Sequence, residues 1–189
     1  MRTLFPLFLL LGVSGCAASI PLVQVTRFHL GAKPMAGTIV IEPAAGTAPE
    51  NLEFGAYAAA VRREALRLGY GDSGPPAYHL ILSYSRSERS VARQSPVTVG
   101  IGGGTGGGGI GIGIGTIFGL GRKTESLVDM QLSVQMKRAS DDLVVWEGRA
   151  QTEAPDTAPA AQPGLAADKL ARALFQDFPG ESGRTIRIP

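Results

Sequence analysis

Few side chains in this chain are of a type that does chemistry. Among 189 residues there are two histidines, His29 and His79, and one cysteine, Cys16. Histidine-based hydrolysis needs a carboxylate to orient the ring and a nucleophile within its reach. His29 closes one strand-like run and His79 stands at the start of another, so both read as packed or surface residues rather than bases. With one Cys and no His-x-x-x-His pair, neither a structural nor a catalytic zinc site is expected. Asp141-Asp142 reads as turn chemistry. No catalytic residue, metal or cofactor is assigned, and an enzyme remains the weakest of three functional readings.

The glycine run IGGGTGGGGIGIGIGTIFGLG is the other place where chemistry could reside. A phosphate loop needs Gly, four residues, then Gly-Lys-Ser/Thr. Here Arg122 separates Gly121 from Lys123, and Thr116 stands where the first Gly belongs. Matches to GxGxxG arise by density alone, and a strand rather than a helix follows, so the helix N-terminus that binds phosphate is missing. Thirteen of the 26 glycines lie between Gly100 and Gly121, and each costs about 1 kcal/mol against alanine in a helix. A spanning helix is therefore excluded, although no charge falls between Arg93 and Arg122. Ile110, Ile112 and Ile114 alternate with glycine, which suits a β-element with one apolar face. Together with Ile117 and Phe118 they are the candidate contacts to a membrane or partner. A lone hairpin cannot satisfy its edges in lipid, so spanning would require hairpins from several copies joined in a barrel. The plainer expectation is a long hairpin excursion near the membrane or in solvent. Contact with peptidoglycan or an envelope protein is a third.

Cys16 gains its meaning from what precedes it. MRTLFPLFLLLGVSGC carries one cation, an apolar run, then small residues, the layout of a secretory signal. That run is too short for the ~30 Å hydrocarbon core. Val13-Ser14-Gly15-Cys16 resembles the lipobox of bacterial lipoproteins. The resemblance implies cleavage before Cys16, diacylation of its thiol and acylation of the new amino terminus. The residue after Cys16 is Ala17 rather than Asp, which implies the outer membrane, facing the periplasm. The mature chain then has no disulfide. Its tether, 16–22, is short: Ala17 to Leu22 reach at most ~20 Å.

These features must be held by a core, and 44% hydrophobic content against 18% charged suffices for one. Net charge is +2 with mixed signs, so no clustered basic face argues for nucleic acid. Strands are expected at 22–28, 38–42, 78–85, 126–137 and 143–151, and helices at 52–68 and 165–178. In 126–137, Val128, Met130, Leu132, Val134 and Met136 alternate with polar residues, the pattern of a half-buried antiparallel strand. Phe54, Ala58, Val61, Ala65 and Leu68 share one helical face, with Gly69 placed to close the helix. Trp146 is expected in the core. Arg86, Arg89 and Arg93 sit on a polar run that reads as a solvated strand extension. The expected fold is α+β: a two-layer, mostly antiparallel sheet with two helices on one face, in the order β-β-α-β-(Gly-rich insert)-β-β-α. By region, 1–15 is a signal peptide, 16–22 the lipidated tether and 23–180 one domain. That domain contains the insert 97–121 and a Pro/Ala linker 153–164 without core content. Residues 181–189 are expected to be a loose tail.

The ordered set of RLGYG (67–71), LILSYS (80–85) before a glycine-rich insert, VDMQLSVQMK, VVWEGRA (144–150) and LFQDFPG (174–180) resembles bacterial lipoproteins of the domain of unknown function 4136 family. The resemblance covers nearly all of the mature chain. It implies this fold and address, and no activity. The resulting expectation is an outer-membrane-anchored, periplasmic, non-catalytic binding or structural module. Its partners would be the membrane through Cys16 and an envelope protein or peptidoglycan, with no nucleic acid and the oligomeric state open. The rival is an oligomeric membrane-inserting Gly/Ile hairpin of a pore or secretion component.

Overall fold

The computed structural model describes residues 21–92 and 124–189. The signal, Cys16, and the candidate contacts Ile110, Ile112, Ile114, Ile117 and Phe118 lie outside the described residues. The elements are β1 (Val23–His29), β2 (Ile39–Pro43), α1 (Leu52–Arg67), β3 (Tyr78–Ala92), β4 (Thr124–Arg138) and β5 (Val144–Pro155). A 3-10 turn (Pro159–Ala161), α2 (Pro163–Phe175) and β6 (Thr185–Ile188) complete the chain. The strands form one six-stranded sheet in the order β2-β3-β4-β5-β1-β6. Only β2 and β3 run parallel; the other neighbours are antiparallel.

The alternating strand pattern decides which face becomes the core. Val128, Met130, Leu132, Val134 and Met136 are all buried, as are Leu80, Leu82, Trp146, Ala150, Val23 and Val25 on the same face. Both helices cover that face and pack on each other, with Arg63 and Asp168 paired across their exposed flank. Asn51 caps α1, its side chain accepting from the Glu53 amide at 2.9 Å. Gly69 follows at φ +94°, in the left-handed region that favours glycine. The buried arc of α1 is wider than the sequence stripe. Tyr57, Ala60 and Glu64 are also buried, whereas Ala58 is only half-buried, because α1 meets α2 as well as the sheet. In α2 the expected stripe of Ala167, Leu170, Ala171, Leu174 and Phe175 is buried, and Phe178 is buried just past its end.

Three expectations need correction. Residues 153–164 are not a coreless linker. β5 continues to Pro155, Ala154 and Ala161 are 1% and 3% exposed, and Glu153 to Pro155 pair with Asp129 to Leu127. Long β4 would otherwise leave backbone groups unpaired there, and alanine is small enough to pack beneath the turn. The tail is not loose: Thr185–Ile188 pairs with Thr26 to Val23 and buries Ile188. It covers the edge β1 would expose, and burying Ile188 adds about 2 kcal/mol. The observed order therefore has a sixth strand after α2.

Candidate functional site

At one end of the sheet the last turn of α2 and the turn that follows it are gripped from three sides. Val23, Val25 and Arg27 share the core face of β1, so a charged side chain enters the core at the third position. Arg27 is 3% exposed; its Nε donates to the Leu174 carbonyl at 2.9 Å and its Nη2 to the Ala173 carbonyl at 2.7 Å. These are free acceptors of the last turn of α2, where the helix dipole favours a cation. Burial lowers the Arg27 pKa, while nearby Asp177 raises it. Trp146 Nε1 donates to the Pro179 carbonyl at 3.0 Å, and the indole stacks on Phe175 and leans on Phe178. His29 Nε2 lies 3.1 Å from the Gly180 carbonyl, and its Nδ1 accepts from the Gly31 amide. Gly180 adopts φ +83°, and a Cβ there would meet the Arg27 side chain at 2.6 Å. Gly148 is similarly confined: a Cβ would meet Trp146 at 2.6 Å and Leu174 at 2.7 Å. The sequence marks WEG and FPG thus form one packed joint, and His29 is part of it.

His79 meets a carboxylate. Its Nδ1 is 2.8 Å from Glu42 Oε1 across the parallel β2–β3 pair, on the sheet face away from the helices. A Glu–His pair can orient an imidazole and move a proton. The side chains are 28% and 43% exposed. Neither lines any groove described below, and no hydroxyl bonded to this histidine is found among the described residues. Sequence reading missed the pair because the parallel pairing of β2 and β3, far apart in sequence, creates it.

The opposite end of the sheet is organised around the β3–β4 hairpin. β3 and β4 pair without interruption from Tyr78↔Arg138 to Ala92↔Thr124, so the expected strand extension is present and the glycine-rich insert connects its two strands. On the outer face Arg89 binds Asp129 at 2.8 Å and also Glu153. On the core face Arg86 Nη1 donates to the Ala161 carbonyl at 2.6 Å. Beneath it Tyr57 stacks on Tyr84, with ring centroids 4.8 Å apart. The Tyr57 hydroxyl and Glu53 Oε1 are buried and lack a hydrogen-bond partner among the described residues. Burial, then Glu53, pushes the Tyr57 pKa up to about 12. The chain enters the fold at this same end. Thr152 Oγ1 donates to the Leu22 carbonyl at 2.9 Å, and Lys169, its pKa lowered by burial, donates to the Pro21 carbonyl.

Two grooves could admit a ligand. One of about 580 Å³ lies against the entering chain, between Leu22, Gln24, Ser85, Gln131, Gln151 and Glu153. Another of about 640 Å³ lies between edge strand β2 and α1, floored by Ile39, Ile41, Gly55, Ala58 and Ala59, with Arg62 and Asp72 paired at its rim. Among the described residues no cluster of three or more metal-ligating side chains occurs, and no described helix is long and apolar enough to cross a membrane.

No protein-family model matches the chain. An uncharacterized protein of Zymomonas mobilis subsp. mobilis is 41% identical over 70 residues, covering 37% of this chain and 26% of that protein. The chain thus spans about a quarter of that relative's length. Among solved structures, a PDZ domain protein from Parabacteroides distasonis aligns at 9% identity and TM-score 0.47, over 88% of this chain and 38% of that one. A PelC dodecamer from Paraburkholderia phytofirmans aligns at 11% identity and TM-score 0.41, over 85% and 99% of the two chains. Likenesses this slight carry no functional weight.

Proposed function

We propose that this chain is an outer-membrane-anchored lipoprotein related to the domain of unknown function 4136 family. Its periplasm-facing domain acts as a non-catalytic binding or structural module of the cell envelope. The observation that carries the reading is the Val13-Ser14-Gly15-Cys16 sequence at the end of a signal-like apolar run. The chain is held by the domain from Pro21 onward, which leaves only a short leash. The packed joint of Arg27, His29 and Trp146 supports the non-catalytic part, since it gives family-like marks a structural role. The module's partner would be an envelope protein or peptidoglycan. Metabolic labelling with palmitate tests the anchor: the wild type should incorporate label and Cys16→Ser should not. Equal incorporation by both would sink the proposal.

One observation favours a second reading. The insert falls between two strands whose pairing outruns the rest of the sheet, a shape suited to assembling with hairpins of other copies. SDS-resistant oligomers that leak vesicles, with both properties lost on deleting 100–121, would favour that oligomeric, membrane-inserting function.

A further inference from the structure

Gln24, Gln151, Gln131 and Ser85 lie in one row across four strands of the sheet. From that row β3 runs on to Ala92 and β4 back to Thr124, seven residues beyond Ser85 and Gln131. At about 3.4 Å per residue the hairpin projects about 24 Å past the row. β5 gives out earlier, at Pro155 opposite Leu127. β1 is antiparallel to β5, so going backward from Gln24 the chain heads in the same direction as the hairpin. Cys16 lies eight residues before Gln24, a path of at most about 27 Å when fully extended. The path falls short of that limit if the leash bends, and its base is fastened: Pro21 and Leu22 are bound to Lys169 and Thr152. The residue read as the lipid anchor therefore cannot stand more than a few ångströms, on the order of one residue's length, beyond the hairpin's end.

From this geometry we infer that the β3–β4 end of the sheet is the surface this domain turns to the bilayer, with the lipid headgroup region as its partner. The inference rests on the anchor proposed above. Because so short a leash cannot lift the sheet clear of the bilayer, strands that meet it end-on touch it with their Ala92 and Thr124 ends. The Asp141 turn and the Arg27–Trp146 joint then face away from it. In sequence the two strands lead on to Arg93 and to Arg122-Lys123, with no charge between. Cations flanking an apolar stretch suit phosphate headgroups. At the hairpin itself Arg89 is paired with Asp129 and Glu153, and Arg86 with Glu88.

The test uses the full lipidated chain in phosphatidylethanolamine/phosphatidylglycerol vesicles that contain a headgroup-nitroxide lipid. With Cys16 acylated, a cysteine introduced by Ser90→Cys or Ser140→Cys is the only thiol to label. Both serines are exposed; the first lies near the hairpin end and the second in the β4–β5 turn at the far end. A fluorophore at position 90 should be quenched by the nitroxide lipid, and one at position 140 should not. Equal quenching at the two positions, or none at 90, in protein that carries lipid and floats with the vesicles would overturn the orientation and leave the anchor standing. Protein lacking lipid on Cys16 and failing to float would remove the anchor, and this inference with it.

Discussion

Where β1 ends, Arg27 bonds the last carbonyls of α2, His29 and Trp146 direct nitrogens at the turn after it, and Gly148 and Gly180 sit where a Cβ would collide. Where β1 begins, the polar groups are less completely matched: the Tyr57 hydroxyl and one Glu53 oxygen are buried without a partner among the described residues. The first end is over-determined, and residue identity there follows from packing. The second carries the entering chain and the roots of the insert. Nearly all buried polar groups in folded proteins are satisfied, so exceptions call for an explanation. The contrast separates an end built to hold from an end built to present.

The largest expected effect involves both ends at once. Burial, then Tyr78, pushes Tyr70 up to about 12 at the joint end, as Tyr57 is pushed up to about 12 at the hairpin end. The unfolded chain's tyrosines ionise near the ordinary tyrosine value of about 10. Because the folded pKa values are raised, the stability they contribute is fully present below pH ~10 and is lost as pH rises through ~12. At about 1.4 kcal/mol per unit, each tyrosine accounts for about 2 to 3 kcal/mol. Urea unfolding at pH 8 and pH 12, with tyrosinate absorbance as the reporter, should show a steep alkaline loss that Tyr57→Phe and Tyr70→Phe each reduce. A flat profile would show that neither ring is held as described.

Next in size, Arg27→Ala should cost about 3 kcal/mol, read as a lower urea midpoint at neutral pH. The substitution removes two charge-assisted hydrogen bonds and leaves the Ala173 and Leu174 carbonyls without their donor. A loss under about 0.5 kcal/mol, the level of an exposed ion pair, would mean that the joint does not depend on its buried cation.

The smallest effect is the most discriminating between the ends. At neutral pH Tyr57→Phe should leave stability unchanged or raise it by up to about 1 kcal/mol, because the hydroxyl is desolvated without return. A loss larger than that would show that the hydroxyl has a partner in the intact chain. The hairpin end would then be as fully matched as the other.

Much of the fold was legible in advance because its signals are periodic and local. The alternation in β4, the α2 stripe, Gly69 closing α1, and Trp146 in the core need only neighbours in sequence to be recognised. The same alternation in β1 places Arg27 inward after Val23 and Val25, yet nothing local says that a helix end awaits it. His79 and Glu42 likewise meet only through a parallel pairing, and parallel partners carry no hairpin signal in sequence. The Pro/Ala stretch and the tail were misread for the same reason, since both are ordered by strands far away in the chain.

By itself, the sequence determined the lipobox-like cysteine, the α+β class, the face β4 buries, and the mismatch of the glycine run to the phosphate-loop pattern. These depend on residue type at fixed spacing. Tertiary structure alone decided that the entering chain and the hairpin leave the sheet at one end and that the WEG and FPG marks close on Arg27 at the other. Both outcomes depend on which strands pair and in which direction, and pairing between distant segments is settled by the packing of the whole sheet rather than by any local run of residues.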